Sequence, residues 1–241
     1  MEKFQVCEES RVLDLNLNPN QFNLLHHFYP QYDGRGMTIS LREYGIDSTD
    51  LDLLGRLAAS PNADSILSRH ATNMASIMGG AGNSSPKGAG VAPKLMIRSS
   101  AFGDLLPDND DEYNGVYVQN HAYGTEIENF YGGIAEAYDA HSYANPALLH
   151  LFSAGNRGRD TSRFGPYAGI PSFANLTGNV KHAKNVLTVG AIDSLKQILD
   201  YASRGPAYDG RIKPEVVAYS QDGTSNAVSL VSGLSVLLQQ A

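Results

Sequence analysis

A chain of 241 residues that is 42% hydrophobic and 18% charged can bury the core of one compact domain, which excludes a disordered chain. Lys and Arg total 18 against 25 Asp and Glu, a net charge of -7, and no basic run is present to neutralise a phosphate backbone, so nucleic acid is not an expected partner. No run of about 18 apolar residues suits a membrane span, and Met1 to Gln5 lacks the apolar core of a signal peptide.

Cys7 is the single cysteine, so no disulfide can form within the chain and cysteine usage assigns no compartment. Residues 36 to 41 alternate in the manner of a strand, and Arg42-Glu43-Tyr44-Gly45 breaks the pattern, so Glu43 is predicted at a strand's carboxyl end. From His70 onward, Ala71, Met74, Ala75 and Met78 fall at helical spacing before Gly79-Gly80, which puts His70 in the first turn of a helix. Leu95 to Ile97, Ala147 to Phe152 and Asn185 to Gly190 read as strands, and Gly133 to Tyr138 as helix. Ala227, Leu230, Val231, Leu234 and Leu238 form the apolar stripe of a last helix, with Ser225 near its N-terminus. Buried strands alternating with helices predict a mainly parallel α/β sheet, whose ligand sites collect at the strands' carboxyl ends. Glu43 and Asn156 both fall there. No internal repeat or low-complexity tract divides the chain, and its Gly and Pro residues mark turns, so one domain over 1–241 is expected.

Three short stretches propose chemistry: Arg69 to Ala75, Ser153 to Gly158 and Asp222 to Ala227. A serine hydroxyl is a poor nucleophile at neutral pH and needs a base to take its proton and a third group to orient that base. Ser225, His70 and Glu43 can fill those roles. The backbone N–H of Ser225 at a helix N-terminus and the side-chain amide of Asn156 can then hold an oxyanion. Each piece alone has a plainer explanation: an N-cap, a helix-opening histidine, a turn, or a surface carboxylate balancing Arg42. Asp47, Asp50 and Asp52 are the fallback acids. The run Asp108-Asn109-Asp110-Asp111-Glu112 is rich in oxygen, and Asp108, Asp110 and Asp111 are weak candidates for a structural calcium, which takes about six to eight oxygen ligands. As a contiguous run it lacks a ligand-loop spacing and reads equally as a solvated acidic loop.

Over nearly its whole length the chain resembles the subtilisin-like serine proteases. The matching stretches, in the family's order, are Gly34 to Ile39, Gly45-Ile46-Asp47, His70-Ala71-Thr72 through Gly79, Gly88 to Pro93, Ser153 to Gly158, Asn185 to Asp193, Ser203 to Pro206, Lys213 to Ala218 and Gly223-Thr224-Ser225. The resemblance implies a three-layer sandwich with about seven mainly parallel strands between helices. It also implies peptide-bond hydrolysis with His70 as base, Ser225 as nucleophile and Asn156 in the oxyanion hole, and it requires no cofactor. Extended peptide or protein substrates would pair with two segments lining the cleft, Asn120 to Gly124 (Asn120, Ala122, Tyr123, Gly124) and Ser153-Ala154-Gly155.

The chain departs from the family at the acid, where Glu43 stands in place of aspartate, and in the short run from Ala218 to Gly223 before the nucleophile. Glu43, Asn83 to Ser85, Gln119 to His121 and Lys213 to Ser225 look like a bacterial secreted branch, which implies an extracellular or cell-envelope location, a cytoplasmic one being the alternative. The resemblance makes residues 1–33 a lead-in segment. It also implies that the domain normally continues past residue 241, with that part supplied by another chain or segment. A protease-like module that grips extended peptides without cleaving them is the competing function. A lipase or esterase would want a Gly-x-Ser-x-Gly elbow, and none is centred on Ser225.

Overall fold

A computed structural model describes residues 15–241, without the side chains of Asp110 and Asp111, so Cys7 lies outside the described residues. Six strands, β1 (Thr38–Arg42), β2 (Met96–Ser100), β3 (Val116–His121), β4 (Leu149–Ser153), β5 (Leu187–Ile192) and β6 (Val216–Tyr219), form one parallel sheet in the order β2-β1-β3-β4-β5-β6. Six, rather than about seven, strands are therefore present among the described residues. The helices are α1 (Phe22–Phe28), α2 (Arg69–Gly79), α3 (Gly133–Ala144) and α4 (Gly223–Gln240).

Alternation along each strand divides the core in two. On β4, Leu151 joins the layer formed with α2 and α4, which includes Ile39, Leu41, Met74, Ile77, Val228 and Val236. Its neighbour Phe152 turns the other way and packs with Ala135 and Tyr138 of α3 and with Val186. Helices on both faces are what a parallel sheet needs, and they make the three layers the sequence implied.

Strand order decides where the site lies. The chain leaves β1 to build β2 on one side, then returns to build β3 on the other, so the order reverses between β1 and β3. At such a reversal the connections after adjacent strands diverge and open a crevice at the carboxyl ends. Glu43 directly follows β1, Ala122 directly follows β3, and Asn156 stands three residues beyond β4.

The last helix is more deeply buried than its stripe predicted. Ala227 and Leu230 are buried and Val231 and Leu234 are partly so, but Leu238 is 68% exposed, while Val228, Val236 and Leu237 face the core. α4 packs against α2 and against β3, β4, β5 and β6, so almost its whole circumference is covered. Serines can occupy such positions because their hydroxyls bond internally: Ser229 Oγ donates to the Ser225 carbonyl at 3.0 Å, and Ser232 Oγ to Asn120 Oδ1 at 2.9 Å.

Candidate active site

Glu43 is 4% exposed at the end of β1, where its amide donates to the Ser100 carbonyl at 2.8 Å. Its Oε2 lies 3.1 Å from His70 Nδ1, and its Oε1 accepts the Tyr44 amide at 3.2 Å. A carboxylate is an acceptor only, so the Nδ1 facing it carries the proton and Nε2 keeps its lone pair. His70 is the second residue of α2, whose N-terminus is capped by Ser68 Oγ accepting from the Ala71 amide at 3.4 Å. Thr72 Oγ1 accepts the Asp47 amide at 3.0 Å and so ties the loop after β1 to the helix that carries the histidine.

The plainer explanation of Glu43, a surface carboxylate balancing Arg42, does not hold. Both residues are buried, and Arg42 pairs with Asp104 and, at 3.3 Å, with Asp108 while its Nη1 donates to Tyr138 Oη at 3.0 Å. The fallback acids are engaged elsewhere. Asp47 Oδ1 accepts from the amide and hydroxyl of Thr49, which hold its carboxyl below the usual carboxylate range. Asp50 caps the turn Leu51–Leu53, and Asp52 is buried against Ser84.

Ser225 is the third residue of α4, not the residue before it. The first two amides of the helix are taken, Gly223 N–H by Tyr201 Oη at 3.1 Å and Thr224 N–H by Asn156 Oδ1 at 2.9 Å, and the third is that of Ser225 itself. Gly223 has φ of +67°, a backbone conformation that calls for glycine, and a Cβ there would press on Asn156 Nδ2 at 3.0 Å. The short connection from β6 is closed by Ser220 Oγ donating to the Gly223 carbonyl, so its few residues suffice to deliver the serine.

Asn156 is exposed and lines one cleft with Ser225. Its Oδ1 accepts from both the amide and, at 3.1 Å, the hydroxyl of Thr224, and an amide whose oxygen is so held turns its NH₂ away from that contact. Thr224 Oγ1 in turn accepts the Gly155 amide at 3.1 Å, which couples the strand end to the helix start. Ser225 Oγ donates to the Ala122 carbonyl at 3.0 Å rather than to the His70 ring.

The cleft beside Ser225 is lined by Ala122, Tyr123, Gly124, Ser153 and Gly155 of the two segments that the resemblance pointed to, and also by Thr125, Arg157, Thr177 and Thr224. Two expected lining residues lie inside instead. Asn120 is wholly buried within β3 beneath Ser232, because the segment is still strand at that point. Ala154 is also wholly buried, its amide bonded to the Val189 carbonyl at 2.9 Å and its carbonyl to the Thr177 amide at 3.2 Å. Sequence reasoning missed Thr177, and it missed that Tyr123 stacks on Phe102, ring centroids 5.1 Å apart, while Tyr44 meets Phe102 edge-on at 4.9 Å. No spacing rule marks these contacts, since the four residues come from four separate loops.

The calcium expectation finds no support at Asp108, whose carboxylate is occupied by Arg42, Ser100 Oγ at 2.7 Å and Gln119 Nε2 at 2.6 Å. The side chains of Asp110 and Asp111 lie outside the described residues, among which no cluster of metal-ligating side chains occurs. Nor is any described helix long and apolar enough to cross a membrane.

Residues 34–241 match the model of the subtilase family. Among solved structures, the chain is similar to the CspB protease of Clostridium perfringens, with a TM-score of 0.72 at 14% identity, covering 93% of this chain and 86% of that one. It is also similar to the prenylagaramide maturation protease PagA, with a TM-score of 0.66 at 20% identity over 91% of this chain and 80% of that one. A cold-adapted subtilisin-like serine proteinase gives a TM-score of 0.59 at 22% identity, covering 86% and 77% of the two chains. With the family's model matched from Gly34 to the last residue and a parallel sheet flanked by helices as in these proteases, this protein belongs to the subtilase family of serine endopeptidases.

Proposed function

We propose that Glu43, His70 and Ser225 form the catalytic triad and that the Asn156 amide and the Ser225 N–H form the oxyanion hole for hydrolysis of peptide bonds in extended substrates. The observation that carries this reading is the 3.1 Å contact between His70 Nδ1 and Glu43 Oε2, because it gives the base an orienting acid despite the missing aspartate. The longer glutamate side chain spans the gap from the end of β1 to the ring.

In the reaction, Ser225 Oγ leaves the Ala122 carbonyl, gives its proton to His70 Nε2 and attacks the scissile carbonyl carbon. Turning the hydroxyl costs about 1 kcal/mol, the net worth of one hydrogen bond, and such contacts commonly tighten only when substrate is present. Negative charge develops on the carbonyl oxygen, where the Asn156 amide and the N-terminus of α4 meet it. His70 then returns the proton to the leaving amine as the C–N bond breaks. Water attacks the acyl-enzyme with His70 again as base, and Ser225 is regenerated. Glu43 remains ionised throughout and stabilises the transient imidazolium.

A fluorophosphonate probe tests the assignment. The intact protein is expected to be labelled at Ser225 and the Ser225→Ala variant not at all; equal labelling of the two proteins would sink the reading. Peptide binding without any serine-dependent hydrolysis would favour the non-cleaving module instead.

A further inference from the structure

The slot beside Ser225 runs between two main-chain walls, Tyr123-Gly124 on one side and Ser153 to Gly155 on the other, and Thr177 stands in it. The slot adjoins both Ser225 and Asn156, so a residue whose carbonyl is held between them has its own side chain within reach of the slot. Its depth therefore decides which residue can precede the cleaved bond.

Thr177 reaches both walls at once. A Cβ built on Gly155 would lie 2.1 Å from Thr177 Oγ1 and 2.6 Å from its Cγ2, and one built on Gly124 would lie 2.3 Å from the same hydroxyl. Only glycine on each wall admits the threonine between them, and Gly155 also has φ of +111°. The side chain is held there. Lys181, itself wholly buried, donates from Nζ to Thr177 Oγ1 at 2.9 Å, to the Thr177 carbonyl, and across to the Tyr123 carbonyl at 3.2 Å. The Thr177 amide donates to the Ala154 carbonyl of the opposite wall at 3.2 Å. A β-branched residue pinned at its hydroxyl, amide and carbonyl has no rotamer to yield with.

We propose that Thr177, positioned by Lys181, determines specificity: it fills the slot to the level of its glycine walls, so that Gly, Ala or Ser precedes the cleaved bond and Leu, Phe and Glu are excluded. This rests on the reading of Ser225 as the nucleophile.

The test is a panel of peptides identical except for Ala, Leu, Phe or Glu at that residue. With the intact protein, kcat/KM for Ala is expected to exceed that for Phe by at least about 100-fold, as a closed slot penalises a ring that cannot enter. In Thr177→Gly, which empties the slot, the gap should shrink to within about tenfold through a gain on Phe and Leu. Thr177→Ser, which keeps the hydroxyl bonded to Lys181, should retain most of the preference. Better cleavage after Phe or Leu than after Ala by the intact protein overturns the proposal without any variant, as does an unchanged ratio in a folded Thr177→Gly. The same peptides are also measured for binding to Ser225→Ala by fluorescence anisotropy. Tighter binding of the Ala peptide with no hydrolysis by the intact protein refutes the nucleophile and keeps the slot, whereas hydrolysis without preference for small residues does the reverse.

Discussion

Replacing Glu43 by aspartate puts the family's usual acid at this position, and the structure argues that activity should fall rather than rise. The backbone at Glu43 is fixed by its amide bond to Ser100, and the following loop by Gly45 N–H to the Ile66 carbonyl and Ser68 N–H to the Gly45 carbonyl, at 2.8, 2.8 and 2.9 Å. One methylene fewer retracts the carboxylate by about 1.3 Å, which stretches the contact to His70 Nδ1 to roughly 4.4 Å, beyond hydrogen-bonding reach. Misplacement on the scale of an ångström in a preorganised site costs about 100-fold, or about 2.7 kcal/mol of transition-state stabilisation. Glu43→Gln keeps the length but removes the charge that fixes the tautomer and steadies the imidazolium, so its loss should be larger, about 10⁴-fold. Both losses should appear in kcat with KM little changed, because Glu43 is buried behind the ring and away from the cleft. Initial rates on a chromogenic peptide, beside thermal melts that establish folding, decide the matter. A folded Glu43→Asp or Glu43→Gln with kcat within threefold of the intact protein would refute the orienting role.

Asn156→Ala removes one oxyanion donor and also strands the Thr224 amide and hydroxyl that its Oδ1 accepts, so kcat should fall by about 100- to 1,000-fold with KM little altered; a rise in KM with kcat preserved would show that Asn156 only binds substrate. Burial among other bases lowers His150 to about 3, chiefly by desolvation and then through His141 and Arg42, so the folded state holds it neutral. Its contribution is fully present above the unfolded value near 6.5 and is lost as pH falls toward the folded one, about 2 kcal/mol of it between pH 7 and pH 5. Urea melts at the two pH values should reveal this loss, and His150→Gln should lack that part of it; an identical pH dependence in the variant would refute the assignment.

Most of the layout was readable because its signals are local. The alternation of residues 36 to 41 and the spacing of Ala71, Met74, Ala75 and Met78 report the burial of one face, and burial is what creates β1 and α2. The places of Glu43, His70, Asn156 and Ser225 in the chain's layout were legible as well, since each lies at or within three residues of an element's end. What stayed hidden depends on partners far away in the chain. Asn120 looked like a cleft residue because nothing local says that β3 extends over it and that α4 covers it with Ser232. Leu238 looked like core because it falls four residues after Leu234, but its neighbours Val236 and Leu237 are the residues that face the core there. Thr177 carries no local mark, and its position becomes meaningful only when Gly124 and Gly155 close on it from two other loops.

The pairing of Arg42 and Glu43 shows how one strand can serve two purposes without its charges cancelling. Adjacent residues on extended backbone point to opposite faces. Arg42 turns toward the α3 layer, where Tyr138, Asp104 and Asp108 receive it, and Asp108 is further held by Ser100 and Gln119 of the neighbouring strands β2 and β3. Glu43 turns toward α2 and meets His70. Had the two side chains paired with each other, the guanidinium would have taken the carboxylate's lone pairs and left the imidazole without an acceptor. The buried network around Arg42 therefore does more than satisfy a charge: by giving the arginine its own carboxylates, it leaves the glutamate beside it to accept from the imidazole.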